Sequence, residues 1–207
     1  HKVAFVRDNN LFIKNLSDDK EIQITSDGKS NEIINGAPDW VYEEEFEFNK
    51  AFDWSPDGSK LVYLKFDERE VKMFNMTMFQ GQKPALDQNA LYPSNNQFKY
   101  PKAGEDNSKV SVHVYNLDSG NTLKVNLRGG NESYLPRIVF TPKSGSFIVM
   151  RLNRLQNKLE LIRIDALSGK LETVYTEENN RYIDEGNFDH VTFLPDDERF
   201  IITSEKD

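Results

Sequence analysis

Apolar residues along this chain fall in short runs, each closed by a polar turn. Three runs share one phrase: an aromatic residue, a polar turn with a central Pro, then an apolar stretch. It reads Trp54-Ser55-Pro56-Asp57-Gly58-Ser59-Lys60-Leu61-Val62-Tyr63-Leu64, then Phe140-Thr141-Pro142-Lys143-Ser144-Gly145-Ser146-Phe147-Ile148-Val149-Met150, then Phe193-Leu194-Pro195-Asp196-Asp197-Glu198-Arg199-Phe200-Ile201-Ile202. Pro presets φ and Asp-Gly tolerates positive φ, so these are turn positions followed by strands. The opening His1-Lys2-Val3-Ala4-Phe5-Val6 fits the second half of the same phrase. A second phrase is a strand that runs into a polar hairpin. It appears as Val114-Tyr115-Asn116-Leu117-Asp118-Ser119-Gly120-Asn121-Thr122-Leu123 and as Leu161-Ile162-Arg163-Ile164-Asp165-Ala166-Leu167-Ser168-Gly169-Lys170-Leu171, with a weaker copy over residues 11–20. No stretch sustains a 3.6-residue apolar period, so the pattern predicts an all-β chain.

Each repeat reads as four short antiparallel strands joined by hairpins. Four-stranded units recurring at about 50-residue intervals are the blades of a β-propeller. A β-sandwich also has many short strands, but it does not repeat one turn phrase at one place in every unit. About three and a half blades are visible, fewer than the usual four to eight, so the expectation is a partial propeller. Both ends fall on strands, which reads as a fragment of a longer protein. One interval is too long. The spacing from Trp54 to Phe140 exceeds that from Phe140 to Phe193 by about 30 residues, the size of a functional insertion rather than a connector. The excess, at about 73–100, contains Met73-Phe74-Asn75-Met76-Thr77-Met78-Phe79 and is expected to form an extended arm. Its Met and aromatic content suits a protein contact. A strand pair buried on its own blade has the same composition.

Composition narrows the chemistry. Formal net charge is −8 over 207 residues with no basic stripe, which argues against a nucleic-acid partner. There is no apolar run long enough for a membrane span. Cysteine is absent, and the three histidines (His1, His113, His190) are scattered, so neither a disulfide nor a metal site is expected, and no cofactor is implied.

One segment carries candidate chemistry: Asn35-Gly36-Ala37-Pro38-Asp39-Trp40-Val41-Tyr42-Glu43-Glu44-Glu45-Phe46. Gly and Pro end the preceding strand, and Asp39 is a good N-cap, so a helix of one or two turns is predicted here. That matters because neighbouring side chains on a strand point to opposite faces, whereas helical or irregular backbone lets adjacent carboxylates converge on one ligand. With 34 acidic residues in 207, about one run of three is expected by chance, and such runs are usually solvated faces. The functional reading therefore leans on the neighbours: Trp40 and Tyr42 beside the acids form an aromatic, anionic cluster suited to an ammonium group.

The stretch from Asp39 to Glu45 resembles the double-glutamate motif of the dipeptidyl peptidase IV family. Trp54-Ser55-Pro56-Asp57-Gly58 follows at the family's distance. Tyr100-Pro101-Lys102-Ala103-Gly104 is similar to the stretch that closes the family's propeller arm, and Leu152-Asn153-Arg154-Leu155-Gln156-Asn157 to its Leu-x-Arg-x-Gln-Asn run. The lack of cysteine departs from the animal enzymes and is similar to bacterial relatives, so the sequons at Asn15, Asn75 and Asn131 are set aside. The resemblance implies an eight-bladed propeller, of which residues 1–207 would be about half. It would cap an α/β-hydrolase domain outside this chain, in a periplasmic or secreted serine exopeptidase that releases X-Pro or X-Ala dipeptides. Glu44 and Glu45 would bind the α-amine of a peptide substrate with a free N-terminus, and Glu43 would be the spare acid. The arm would help form a homodimer. Phe188 could match an aromatic near the substrate, but core packing is the expected role. No Gly-x-Ser-x-Gly elbow occurs, so no catalytic residue is assigned. A non-catalytic protein- or peptide-binding propeller and a tripeptidyl aminopeptidase are the competing readings.

Overall fold

The computed structural model describes residues 1–79, 92–127, 133–204 and 206. Its strands are β1 (Lys2–Arg7), β2 (Asn10–Asn15), β3 (Glu21–Gln23), β4 (Ile33–Asn35), β5 (Phe52–Trp54), β6 (Lys60–Asp67), β7 (Met73–Met78), β8 (Ser94–Lys99), β9 (Lys109–Asn116), β10 (Thr122–Lys124), β11 (Ser133–Tyr134), β12 (Ile138–Phe140), β13 (Ser146–Asn153), β14 (Lys158–Asp165), β15 (Leu171–Glu178), β16 (Val191–Phe193) and β17 (Phe200–Ile202). Among the described residues, one short α-helix, α1 (Trp40–Glu45), and a 3-10 turn at Glu185–Asn187 interrupt them.

The strands form antiparallel blades of a partial propeller. The first described blade is β1-β2-β3. The second is β10-β9-β6-β4, with β5 also on β6, and the third is β15-β14-β13-β11, with β12 also on β13. β16 and β17 open the next. Stacking shows in the side chains of β6. Val62, Leu64 and Phe66 enter the core shared with the third blade, while Leu61 and Tyr63 join Leu11 and Ile13 in the core shared with the first. Side chains alternate along a strand, so a blade buried on both faces needs apolar residues at nearly every position. That is why β6 and β13 read as continuous apolar runs.

The two repeated phrases fold into two repeated turns. In the first, Ser55, Thr141 and Leu194 donate N–H to Lys60, Ser146 and Arg199 at 3.0, 3.0 and 2.8 Å. The left-handed position falls on Gly58, Ser144 and Asp197, at φ 68°, 60° and 68°. Consecutive turns also touch: the Asp57 amide donates to Ser144 Oγ at 3.0 Å, and the Lys143 amide to Asp197 Oδ1 at 3.3 Å. In the second turn the side chains of Asn116 and Asp165 each accept two backbone N–H groups.

The long interval holds β7 and β8, which pair with each other and, among the described strands, with no blade. Met73, Met76, Phe79 and Tyr92 are exposed on it. The stretch of the predicted arm at 80–91 lies outside the described residues, as does the sequon at Asn131.

The innermost strand of the second blade is split. β4 pairs with the end of β6 and β5 with its start, and the chain between them leaves the sheet. The excursion is pinched at its neck, where the Ala51 amide donates to the Gly36 carbonyl at 3.0 Å. Gly36 sits at φ 76°, and a Cβ there would come within 2.9 Å of Leu11 Cδ1. Only glycine satisfies both conditions. The third blade is split in the same place, between β11 and β12, leaving Leu135-Pro136-Arg137 unpaired with β13 except through the Arg137 carbonyl, which accepts from Met150 N.

Candidate functional site

α1 occupies the excursion of the second blade. Asp39 caps it, its Oδ1 accepting from the Tyr42 amide at 3.0 Å, while its other oxygen accepts from Ser108 Oγ at the start of β9. The helix ends at Phe46, whose amide returns to the Tyr42 carbonyl at 3.3 Å, and Glu47 follows at φ 54°. A residue in the left-handed region closes the last turn.

Helical spacing sorts the segment into two faces. Tyr42 and Phe46, one turn apart, point inward and are 1% and 2% exposed. Tyr42 packs edge-on against Phe66 at 4.9 Å and Phe46 at 5.1 Å. Its hydroxyl accepts the Leu135 amide at 2.9 Å, the donor freed by the break in the third blade. Burial pushes the Tyr42 phenol far above its ordinary range, so it stays protonated. Glu43, Glu44 and Glu45 are exposed, and among the described residues none makes an ion pair.

The expected aromatic cage around the acids is not formed. Tyr42 belongs to the core, because a helix turns its side chain away from Glu44. Trp40 instead packs on Tyr100 at 4.3 Å, beside an apolar hollow of about 580 Å³ shared with Phe74 and Phe98 of the arm. Phe188 is likewise core, 2% exposed and 6.0 Å from Phe46, which is the packing role expected for it.

A cavity of about 760 Å³ opens between the blades and is lined by Glu43, Glu44, Phe48, Lys50, Arg137 and Asp189, among others. Glu45 does not line it. It stands near Glu185, whose carboxyl is raised by partial burial and then by the charges of Glu45, Asp184 and Glu47. Adjacent positions on a helix are about 100° apart, so the triplet spreads over a sector and faces two neighbours at once. Carboxylates outnumber cations in the cavity wall: Glu43, Glu44, Glu47, Asp53 and Asp189 against Lys50 and Arg137. Two of those acids are committed. Asp189 pairs with Arg137, which holds its carboxyl below the usual range, and Asp53 accepts the Phe140 amide at 2.9 Å. The uncommitted acids are the glutamates, so the wall suits a cation.

A second acid pair lies beneath the helix and gave no sequence signal. Glu68 is 6% exposed and Asp39 is 5% exposed. Burial, and then the charge of Asp39, raises Glu68 to about 7, against a smaller opposing effect of Lys99. Burial also raises Asp39, opposed by its bonds to Ser108 and to backbone amides. No group of metal-ligating side chains occurs among the described residues.

The profile of the dipeptidyl peptidase IV (DPP IV) N-terminal region matches residues 1–207. This chain belongs to the dipeptidyl peptidase IV family. Among solved structures it is similar to dipeptidyl peptidase 4 of Porphyromonas gingivalis, with a TM-score of 0.85 and 41% identity over 93% of this chain and 26% of that one. Among curated proteins it is 36% identical over 206 residues to probable dipeptidyl-aminopeptidase B of Phaeosphaeria nodorum, covering 94% of this chain and 22% of that protein. It is 34% identical over 174 residues to dipeptidyl aminopeptidase B of Saccharomyces cerevisiae, covering 84% and 19% respectively. The chain therefore spans about a fifth to a quarter of the relatives it matches. Among the described residues, no helix is long and apolar enough to cross a membrane.

Proposed function

We propose that this propeller segment selects peptides by their free N-terminus, with Glu44 and Glu45 accepting N–H groups of the protonated α-amine. The observation that carries the reading is α1 itself: a capped helix held across two blades, with Glu44 unpaired in the wall of an anionic cavity and Glu45 unpaired at the next helical position. A free α-amine has a pKa near 7.7–8.0 and is mostly charged at neutral pH, and hydrogen bonds between charged groups are about twice as strong as neutral ones. Fixing the terminus at a set distance from a nucleophile turns the site into a ruler. In the whole protein an α/β-hydrolase domain supplies that nucleophile, and the second peptide bond is the one that reaches it, releasing X-Pro or X-Ala dipeptides. Blocking the terminus strands two carboxylates without partners, which a site of this kind rejects strongly.

The test is Glu44→Ala and Glu45→Ala in the full-length protein, assayed with Gly-Pro and Ala-Pro chromogenic substrates. Each lost charged hydrogen bond is worth about 1.5–3 kcal/mol, so kcat/KM should fall about tenfold to a hundredfold per variant. Unchanged kcat/KM in either variant removes that glutamate from the anchor. Product masses distinguish dipeptide from tripeptide release.

The arm formed by β7 and β8 extends the proposal to a homodimer, supported by its exposed Met73, Met76 and Phe79. Sedimentation of the full-length protein with the arm deleted should give a monomer, and an unchanged dimer excludes this contact. The same reading places the protein in the periplasm or outside the cell, and recovery of the full-length protein solely from the cytosolic fraction would contradict it.

A further inference from the structure

One guanidinium holds the glutamate helix to the next blade. Arg137 lies in the break between β11 and β12, and its side chain is only 18% exposed. Its Nη1 donates to the Phe46 carbonyl at 2.7 Å and to the Pro136 carbonyl at 2.8 Å. Its Nε and Nη2 fork onto the two oxygens of Asp189, the latter at 2.7 Å. The planar group also covers Phe48, 5.5 Å from the ring centre. Phe46 is the residue that ends α1, one position past Glu45, and Asp189 follows Phe188, which packs against Phe46. Three separate segments thus converge on one side chain: the broken strand of the third blade, the end of the helix, and the turn before β16.

We infer that Arg137 is a positioning residue that sets where Glu44 and Glu45 stand relative to the cavity. The inference rests on the anchor reading above. Arg137 carries five N–H groups, and four hydrogen bonds to protein atoms are already made. It acts through the helix rather than by binding substrate. A cation at the C-terminal end of a helix also meets carbonyls left without intrahelical donors and the negative end of the peptide dipoles. The other end of α1 is fixed in the second blade by Asp39 and Ser108. Without the Arg137 clamp, α1 keeps its Asp39 cap and the Tyr42–Leu135 bond, but its C-terminal end, which carries the glutamates, loses its polar ties to the third blade and to Asp189 and shifts most. A displacement of about 1 Å at a positioning group costs on the order of a hundredfold in rate. Lysine reaches one acceptor but cannot reproduce the fork.

The experiment uses the full-length protein with Arg137→Met, Arg137→Lys and Asp189→Asn, each also combined with Glu44→Gln/Glu45→Gln. Gly-Pro-p-nitroanilide reads the anchored reaction, and p-nitrophenyl acetate, an ester with no amine, reads the nucleophile alone. Arg137→Met should lower kcat/KM for the anilide about tenfold to a hundredfold while ester hydrolysis stays within twofold. Arg137→Lys and Asp189→Asn, which keep part of the clamp, should fall between it and the parent. In the Glu44→Gln/Glu45→Gln background, Arg137→Met should cost less than about threefold further, because the group it positions is already gone. If the glutamate variants lose activity but Arg137→Met and Asp189→Asn stay within twofold, the inference fails and the anchor reading stands. If the glutamate variants keep full activity, the anchor reading fails first. Parallel loss of ester and anilide hydrolysis, or equal losses in both backgrounds, marks Arg137 as merely structural and overturns the proposal. Should Arg137→Met not fold, Asp189→Asn and Arg137→Lys decide by the same criteria.

Discussion

Replacing Tyr42 by Phe deletes one oxygen and isolates one amide. The hydroxyl accepts the Leu135 N–H at 2.9 Å, and Tyr42 is 1% exposed, so water has no route to replace it. Leu135 lies in the break between β11 and β12, where no strand carbonyl is available. The aromatic contacts with Phe46 and Phe66 survive, since they involve the ring alone. What remains is a buried donor without a partner, at about 1–3 kcal/mol, partly offset because the phenol no longer has to be desolvated. The expected net loss is about 1–2 kcal/mol, read as a lowered midpoint of the propeller transition. Calorimetry of the full-length protein measures the shift, and hydrogen exchange at Leu135 should accelerate while neighbouring strand amides stay protected. Tyr134→Phe is the control. Its hydroxyl accepts from Asn107 Nδ2 at 3.0 Å at a half-buried position, where the amide can turn to solvent, so it should cost under about 1 kcal/mol. A Tyr42→Phe protein with an unchanged midpoint, or a Tyr134→Phe protein as unstable as it, refutes the account of how α1 is held.

Two further outcomes follow from the geometry. Glu68 titrates at about 7 in the folded protein against an ordinary value of 4.5, so the folded state holds the extra proton between those limits. The contribution of this group is then fully present below about 4.5 and is lost as pH rises through about 7, by up to about 3 kcal/mol for a fully buried group. Glu68→Gln should flatten this part of the pH–stability curve, and an unchanged slope in denaturant titrations across it would rule the assignment out. Gly58 occupies the left-handed position of the first repeated turn, with open space around it. Gly58→Ala should cost about 1 kcal/mol through backbone strain alone, whereas Gly58→Asn should be nearly neutral. Equal stability of the two variants would show that strain is not the cause.

Much of the architecture was legible because it repeats locally. The Pro-centred phrase and the Ser-Gly hairpin phrase are each completed by hydrogen bonds within a few residues, as at Ser55–Lys60 and Asp165–Lys170, so short stretches encode them without help from the rest of the chain. Apolar runs at β6 and β13 marked them as strands, and the structure buries both of their faces. The short helix was equally readable, since Asp39 caps it through an amide only three positions away. The aromatic neighbours were not. Trp40 and Tyr42 sit beside the glutamates in sequence, yet one packs on the arm and the other enters the core. Their partners, Tyr100 and Leu135, are distant in the chain: one comes from the arm inserted in the same blade, the other from the next blade. Arg137 gave no signal at all, because the acceptors that give it a role, Phe46 and Asp189, come from segments distant in the chain.

The sequence by itself determined the strands, the turns, the helix and its row of acids, because these depend on spacing and on nearest-neighbour chemistry. Only the tertiary structure decided which acids face the cavity, which aromatics leave them, and what holds the helix still. Those outcomes depend on two broken strands in adjacent blades. One releases the glutamate helix, and the other offers the amide and the guanidinium that receive it.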